Sequence, residues 1–272
     1  MDTLKKITPE HFEQVRADRP FNKVLLMKDY HITVLLYLMK DIEGIYFKGG
    51  TALGKIVLNY HRMSEDIDFT LTKDLELVKK DIINAIEKSG FFDKITKDKD
   101  VQGFTRLIVH YKGFDDEEGT VFIDLNQRGK LLLPPEKHPV KHFYLDEIPA
   151  FTFPTLAQEE MIAEKVVAAI GRNKPRDHFD IYMIIKKGLA INKALVKKKC
   201  LESGTLFDIT KMFNQGQKLH KRWNEDMIPL LSEEVKFKEV MQTLATYFNL
   251  KIEKENKKEE DKEKMFNLTK QK

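Results

Sequence analysis

The sequence contains little of what marks several protein classes. Its 272 residues include one cysteine, Cys200, so no disulfide can form within the chain, which favours a reducing compartment. The N-terminal segment MDTLKKITPEHFEQVRADRP has no apolar core and therefore does not resemble a secretory signal. The longest apolar stretches, such as HITVLLYLM, are too short to span a bilayer. These absences predict a cytoplasmic protein with no membrane partner.

A strong charge of one sign is also missing. The 47 basic and 43 acidic side chains leave a net charge of +4, and this near-balance does not require nucleic acid. The histidines show no metal-ligand spacing, and the lysine run at 197–199 is expected to be a solvated helix face. A hydrophobic fraction of 42% is enough to bury a core in one large or two modest domains.

Hydrophobic periodicity predicts helices and strands in a mixed order. The predicted elements are a helix over 8–41, a strand over 45–47, a helix over 51–60, a strand over 66–71, a helix over 75–89, strands over 104–111 and 120–126 joined as a hairpin, and helices over 155–171 and 177–188. This order indicates an α+β fold that is followed by an all-helical domain.

A proline-bearing segment, LLLPPEKHPVKHFYLDEIPAFTFP, separates the two halves, and we place a domain boundary near its end. Thr155 and Gln158 are expected to form a capping box that begins the first helix of the second domain. The predicted domains are 1–153, 154–250 and a charged tail at 251–272, to which we assign no chemistry.

The stretch FKGGTALGKIVLNYHRMSEDIDFT holds the main chemical signal. Asp66 and Asp68 alternate along a strand, so their carboxylates lie on one face, roughly 6.5–7 Å apart, and repel each other unless a cation lies between them. Mg²⁺ suits this position because it prefers hard oxygen ligands and substrate phosphates. Gly49, Gly50 and Thr51 join a strand to a helix, where free N–H groups can approach a phosphate and the Thr51 hydroxyl can cap the helix or bind phosphate.

A third carboxylate, Asp124, lies in the strand VFIDLN. If this strand lies beside the strand of Asp66 and Asp68, three carboxylates converge, and three can hold two metal ions. Each feature alone is weak, since Gly-Gly occurs in many turns and alternating acids often mark the solvent face of an edge strand. The signal lies in their order along the chain.

Three blocks, KGGTALGK, RMSEDIDF and EEMIAEKVVAAIGRNKPRDHFDIYMI, together resemble the AbiEii/AbiGii toxin family of nucleotidyltransferases, whose pattern the MenT toxins share. The family belongs to the DNA polymerase β-like nucleotidyltransferase superfamily. The resemblance covers about residues 47–185. It implies a minimal nucleotidyltransferase domain, a mixed sheet with flanking helices, followed by helices that complete the cleft. It further implies transfer of a nucleotide from an NTP with loss of pyrophosphate, with Mg²⁺ or alternatively Mn²⁺.

The same resemblance implies roles for individual residues. Asp66, Asp68 and Asp124 would bind metal and take part in catalysis, together with the catalytic residues Lys165 and Asp180. The residues implied to bind the nucleotide are Lys48, Gly49, Gly50, Thr51, Arg62 and Ser64. In related toxins the serine corresponding to Ser64 can be phosphorylated.

Simpler interpretations of the second block remain open. Lys165 can be an ordinary exposed helix lysine, and Asp177 and Asp180 lie where acids stabilise a helix start. Arg172 and Arg176 can instead contact phosphates of the NTP or of an RNA acceptor.

We therefore expect a metal-dependent nucleotidyltransferase that acts on RNA, with a tRNA 3′ end as the expected acceptor. It would be the toxin of a toxin–antitoxin or phage-defence pair, with an antitoxin protein as partner. Two alternatives stay open: a nucleotidyltransferase-like binding module that has lost catalysis, and an enzyme that modifies a small molecule.

Overall fold

A seven-stranded mixed sheet forms the centre of the computed structural model, which describes residues 4–19, 21–114, 117–255 and 257–258. The strands are β1 (Ile45–Lys48), β2 (Asp66–Leu71), β3 (Lys94–Val101), β4 (Phe104–Lys112), β5 (Glu118–Asn126), β6 (Glu136–Pro139) and β7 (Thr152–Thr155). Their spatial order is β3-β4-β5-β2-β1-β7-β6. The pairs β2–β5 and β1–β7 are parallel and the other pairs are antiparallel.

Helices precede, flank and follow the sheet. They are α1 (Pro9–Ala17), α2 (Lys23–Met39), α3 (Gly49–Ala52), α4 (Leu75–Ser89), α5 (Gln158–Gly171), α6 (Pro175–Lys186), α7 (Lys193–Glu202), α8 (Gly216–Asp226) and α9 (Phe237–Tyr247). The helix α3 continues without a break into a π-helical segment, Leu53–Leu58. Short 3₁₀ turns lie at Ile209–Phe213 and Ile228–Leu230. Across the described part of the chain, no helix has both the length and the apolar content needed to cross a membrane.

The buried hydrophobic side chains form two clusters. The larger cluster packs α2 and α4 against the sheet and includes Phe47, Phe69 and Phe153, whose rings contact one another. The smaller cluster lies among the helices from α5 to α9, with Phe179 packed against Trp223. The α+β class, with a mixed sheet and a helical C-terminal region, is confirmed.

Several predicted elements are confirmed at the residue level. The strand over 66–71 and the helix over 75–89 have the predicted bounds, and Gly90 ends that helix with a φ of +66°. The two strands β4 and β5 pair as the predicted hairpin, although its turn residues 115 and 116 lie outside the described residues. The tail is helical over 250–255, and residues 256 and 259–272 lie outside the description.

Two N-terminal helices replace the single predicted one. The helix α1 ends at Ala17 and α2 begins after Asn22, whose side chain accepts hydrogen bonds from two backbone N–H groups. Pro20 lies between them in the sequence, and proline disfavours a continuous helix because it lacks an N–H donor and restricts the residue before it.

The capping box predicted at Thr155 is wrong. Thr155 is the last residue of β7, and its hydroxyl donates to the backbone carbonyl of Leu156. The N-cap of α5 is Ala157, which has no capping side chain, and the backbone N–H of Gln158 donates to Glu136 instead.

Three strands were not predicted. The strand β3, with the sequence KITKDKDV, is an exposed edge strand whose charged side chains carry no apolar alternation. Charges of this kind protect a sheet edge from pairing with another chain. The strands β6 and β7 are short and proline-containing, and β7 spans the position at which we expected the domain boundary.

Candidate active site

The register of the central strands brings three acidic side chains onto one face of the sheet. The parallel pairing of β2 with β5 places Asp68 directly beside Asp124, and Asp66 lies two residues before Asp68 on the same face. The alternation of each strand sends the intervening residues, Ile67 and Ile123, into the core.

Two of the three carboxylates, those of Asp66 and Asp68, make no hydrogen bond and no direct ion pair with the described protein groups. Burial raises the pKa of Asp68 to about 6, with Asp124 and Asp66 adding to the effect and Lys48 opposing it. Burial also raises the pKa of Asp66, and the carboxylate of Glu65 adds to this. Repulsion and desolvation therefore make the ionised pair unfavourable unless further positive charge arrives.

Asp124 has a different environment. Arg106 on β4 donates Nε to Oδ1 at 2.6 Å and Nη2 to Oδ2 at 2.7 Å, a bidentate ion pair. Among the described residues, no group of three His, Cys, Asp or Glu side chains has the arrangement of a metal site. Asp124 thus shares the face with Asp66 and Asp68, but its carboxylate is bound to Arg106, and the three-acid ligand set stays a prediction.

The glycine turn lies against these acids. Gly49 has a φ of +79°, and a β-carbon at this position would collide with the carboxylate of Asp68. A β-carbon at Gly50 would lie 2.5 Å from Nη2 of Arg62. Both positions therefore require glycine for close approach, and the first turn of α3 starts beside the carboxylate of Asp68.

The hydroxyl groups predicted to bind nucleotide are directed into the protein. Thr51 is 2% exposed, and its hydroxyl donates to the backbone carbonyl of Asp66. The hydroxyl oxygens of Thr51 and Ser64 are 2.7 Å apart. This geometry ties the glycine turn to the start of β2, so Thr51 holds the turn in place and its hydroxyl is not free to bind a phosphate.

Residues from both halves of the chain meet in a buried ion-pair network. Arg62 donates Nε and Nη2 to Asp180 at 2.7 and 2.8 Å, and Nε2 of His61 lies 2.7 Å from the same carboxylate. Nζ of Lys165 lies 2.9 Å from Asp180 and 3.3 Å from Asp177. Burial alone would raise the pKa of Asp180, but Arg62, Lys165 and His61 hold it well below its usual range. Asp180 therefore stays ionised and orients the guanidinium of Arg62 and the ammonium of Lys165.

The network extends to the mouth of the cleft through Arg172. This guanidinium makes a bidentate pair with Asp177 at 2.7 and 2.8 Å while 55% of its side chain stays exposed. Arg176 pairs with Glu65 at 2.9 Å. Helix α6 starts after Lys174, so neither Asp177 nor Asp180 is its N-cap. Arg62, which we had expected to bind nucleotide, is 4% exposed and supports the site from beneath the glycine turn.

Two cavities lie between the sheet and the C-terminal helices and share part of their walls. The smaller cavity, of about 200 Å³, is lined by Lys48, Gly49, Gly50, Asp68, Met161, Glu164, Lys165, Ala168 and Arg172. The larger cavity, of about 640 Å³, is lined by Lys48, Asn126, Arg128, Gly129, Glu164, Val167, Ala168, Arg172, Lys199, Glu202 and Ser203. Nζ of Lys48 lies 3.2 Å from Glu164, so this pair marks the boundary between the two cavities.

Sequence reasoning missed some residues of this site. Arg106 and His61 carried no motif signal, Glu164 lies in the third motif block but was given no role, and Asp177 was weighed only as a helix-start acid. Lys199 was expected on a solvated helix face, but its side chain is 4% exposed and pairs with three glutamates, Glu160, Glu164 and Glu202. Arg106 alone had a detectable signal, because the hairpin register places it opposite Asp124 on the polar face. The others meet only through contacts between distant parts of the chain.

Comparisons with known proteins identify the fold and the family. No curated protein sequence matches the chain. The fold is that of JHP933 from Helicobacter pylori, at 20% identity and a TM-score of 0.57 over 91% of this chain and 99% of that one. A putative nucleotidyltransferase from H. pylori matches at 21% identity and a TM-score of 0.59, over 88% of this chain and 98% of that one. MenT4, a nucleotidyltransferase toxin from Mycobacterium tuberculosis, matches at 21% identity and a TM-score of 0.57, over 81% of this chain and 73% of that one. Residues 36–246, well over half of the chain, match the family described as nucleotidyl transferase AbiEii toxin, type IV toxin–antitoxin system. The chain therefore belongs to the AbiEii family of nucleotidyltransferase toxins, the family that its motifs resemble.

Proposed function

We propose that this nucleotidyltransferase moves a nucleotide from an NTP to an RNA acceptor, the 3′ end of a tRNA, with the help of a divalent cation. One observation carries the proposal: within the described part of the chain, Asp66 and Asp68 present two carboxylates on one face with no ion pair or hydrogen bond to protein groups. Asp68 lies beside the Gly49 turn, on the wall of a cleft whose opposite wall is basic. The first wall suits a cation and the second suits a triphosphate.

The residues present fit a divalent cation. Asp66 and Asp68 offer hard oxygen ligands. Burial, together with the neighbouring carboxylates, raises the pKa of each, so a bound cation would favour their ionised forms. We assign Mg²⁺ as the ion in the cell, since it binds through one or two carboxylates together with substrate phosphates. When bound, such an ion neutralises phosphate charge and lowers the pKa of a coordinated hydroxyl.

The phosphates are assigned to the smaller cavity, whose volume of about 200 Å³ is less than that of a typical ligand pocket. Lys165 contributes a fixed cation there, because Asp177 and Asp180 hold its ammonium in place. Arg172 lines the same cavity; its Nε and Nη2 bind Asp177, and the rest of its half-exposed guanidinium can donate to phosphate oxygens. The first N–H groups of α3, which have no acceptor within the helix, are further donors at the turn.

The nucleoside is assigned to the larger cavity, whose volume of about 640 Å³ falls in the range of ligand pockets. Arg128 and Lys130 are exposed at or beside its rim, and Arg172 is exposed between the two cavities. This local positive charge favours a polyanionic acceptor over a small neutral one, because an acceptor with several phosphates can contact several basic side chains at once and so binds more tightly.

The proposed reaction is a displacement at the α-phosphorus. The oxygen of the acceptor hydroxyl forms a bond to phosphorus, the bond to the bridging α–β oxygen breaks, pyrophosphate leaves, and the hydroxyl proton is released to water. Lys165 and Arg172 stay in contact with the phosphates while charge moves toward pyrophosphate.

The test is transfer of label from each of four α-³²P-labelled NTPs to total tRNA with Mg²⁺. We expect one or more NTPs to label the RNA, and expect EDTA or the Asp66→Asn variant to abolish the labelling. Asp81→Asn, the same neutralisation at an exposed position of α4, is the matched control and should leave transfer unchanged.

Periodate-oxidised tRNA locates the acceptor, because oxidation destroys the terminal 2′,3′-diol. Unchanged labelling of oxidised tRNA would contradict a 3′-end acceptor. Label found only in small molecules would favour a small-molecule enzyme. No transfer to any acceptor, with nucleotide binding retained, would favour a binding module.

A further inference from the structure

Four charged residues form a row across the sheet on the face of the site. The register pairs Arg106 on β4 with Asp124 on β5, Asp124 with Asp68 on β2, and Asp68 with Lys48 on β1. The row therefore reads cation, acid, acid, cation across neighbouring strands. Directly opposed residues in a sheet lie close enough for their side chains to interact.

The guanidinium of Arg106 engages both oxygens of Asp124 in this row, at 2.6 and 2.7 Å. The same guanidinium lies 5.2 Å from the ring centroid of Phe122 and 3.7 Å from Asp98, so contacts on several sides fix its position. About 27% of the Arg106 side chain and 14% of the Asp124 side chain are exposed, which leaves the pair only partly screened by water.

Lys48, at the other end of the row, does not play the same part for Asp68. Its ammonium makes its ion pair with Glu164, at 3.2 Å, and no ion pair joins it to Asp68 in the described structure. Of the three carboxylates, Asp124 alone is therefore neutralised by a bidentate protein cation, while Asp66 and Asp68 remain available.

We propose that Arg106 takes the place of a second divalent cation beside Asp124, so that this enzyme uses one divalent cation, held by Asp66 and Asp68. The inference rests on the proposed function and deepens it. A second ion would need a carboxylate ligand besides Asp66 and Asp68, and Asp124 is the third acid on this face. Here a planar guanidinium with fixed donors already satisfies the third carboxylate, and bidentate pairs of this kind are the strong ones.

Arg106 is a positioning residue in this scheme. It touches no substrate, and it acts through Asp124 by binding both oxygens of that carboxylate, which are then not free to hold an ion. Its net effect is to supply one positive charge beside the acid of this face that lies farthest from Lys48 in the row.

Native mass spectrometry of the full chain with Mn²⁺ and an α,β-methylene NTP counts the bound ions directly. Each of the four base analogues is tried, and complexes with one nucleotide are counted. We expect one Mn²⁺ in the wild type and in Asp124→Asn, and two in Arg106→Gln, where Asp124 is freed as a ligand. Arg106→Lys should keep one ion, and Arg16→Gln, which removes an exposed arginine of α1, is the matched control.

The Mn²⁺ dependence of transfer gives a second measurement that a merely structural role would not alter. The rate should rise with the first power of Mn²⁺ concentration in the wild type and with a higher power in Arg106→Gln. Two ions in the wild type, or loss of an ion in Asp124→Asn, would overturn the inference about Arg106 and leave the proposed function standing. Failure of the wild type to bind any Mn²⁺ with any analogue would overturn both.

Discussion

The substitution Asp68→Asn should stabilise the protein without ligands while abolishing its activity. The Asp68 carboxylate receives no hydrogen bond from the described protein groups, and burial raises its pKa to about 6. A group with a raised pKa in the folded state favours folding only while it is protonated. Its ionisation at neutral pH therefore acts against the fold, and the neutral amide removes that effect.

The magnitude follows from the pKa values. The ordinary value of 3.8 and the folded value of about 6 differ by about two units, and each unit corresponds to about 1.4 kcal/mol. Asp68→Asn should therefore gain about 2–3 kcal/mol at pH 7.5, or roughly 4–8 °C in Tm for a chain of this size. This gain in unfolding free energy develops between the two pKa values, from about pH 4 to about pH 6, so at pH 4 it should be less than about 1 kcal/mol.

Differential scanning calorimetry in EDTA at pH 7.5 and at pH 4 measures this gain. A second pair of scans adds Mg²⁺ and an α,β-methylene NTP at pH 7.5. A ligand at about 100 times its Kd stabilises the folded state by about 2.7 kcal/mol. The wild type should gain this increment and the variant should not, so that their melting temperatures converge when ligand is present.

Asp81→Asn is the control for loss of a charge, because Asp81 lies exposed on α4. It should leave Tm nearly unchanged in every condition. A variant Asp68→Asn that melts at or below the wild type in EDTA at pH 7.5 would refute the reasoning. So would an advantage of equal size at pH 4, since the effect would then not come from ionisation.

Three further predictions concern the site and the core. Gly49→Ala should lower the initial rate of transfer at least about tenfold and the free energy of unfolding, measured in urea, by about 1–3 kcal/mol. The reason is that the positive φ of Gly49 and the collision with Asp68 both oppose a β-carbon there. Lys55→Met should lower the free energy of unfolding, measured in urea, by about 3–5 kcal/mol, because it removes the ammonium that lies 2.7 Å from the buried Asp29. The double variant Lys55→Met/Asp29→Leu should recover most of this loss. The rate of transfer should fall as the pH drops below about 6, where Asp68 becomes protonated. A higher Mg²⁺ concentration should move the midpoint of this pH profile to lower pH, and a midpoint independent of Mg²⁺ would count against Asp68 as a ligand.

The local parts of the site were predictable from sequence because they depend on short-range rules. Alternation along β2 placed Asp66 and Asp68 on one face, and alternation along β5 placed Asp124 on a polar face. The Gly49 turn followed from its position between a strand and a helix. The adjacency of β2 and β5 was a hypothesis at that stage, and the parallel pairing of Asp68 with Asp124 confirms it.

The partners of these residues were not predictable, because they come from long-range contacts. Asp180 pairs with Arg62 across 118 positions of sequence, and Lys48 pairs with Glu164 across 116. A single sequence gives no register between such distant elements. The exposed strand β3 was missed for the opposite reason: its charged residues carry no hydrophobic alternation, although its pairing with β4 fixes it in the sheet.

The arrangement of charge explains why the cleft needs both halves of the chain. The sheet wall carries Asp66, Asp68 and Asp124, and among the described residues only Asp124 makes a direct ion pair with a protein cation, so this wall alone repels a triphosphate. The helical wall carries Lys165 and Arg172, which Asp177 and Asp180 orient but do not fully neutralise because Arg62 belongs to the same network. A metal–nucleotide complex presents a cation to the first wall and phosphates to the second. Neither wall alone is complementary to that complex, and the ion pairs between Asp180 and the β2-flanking Arg62 hold the two walls at a fixed separation.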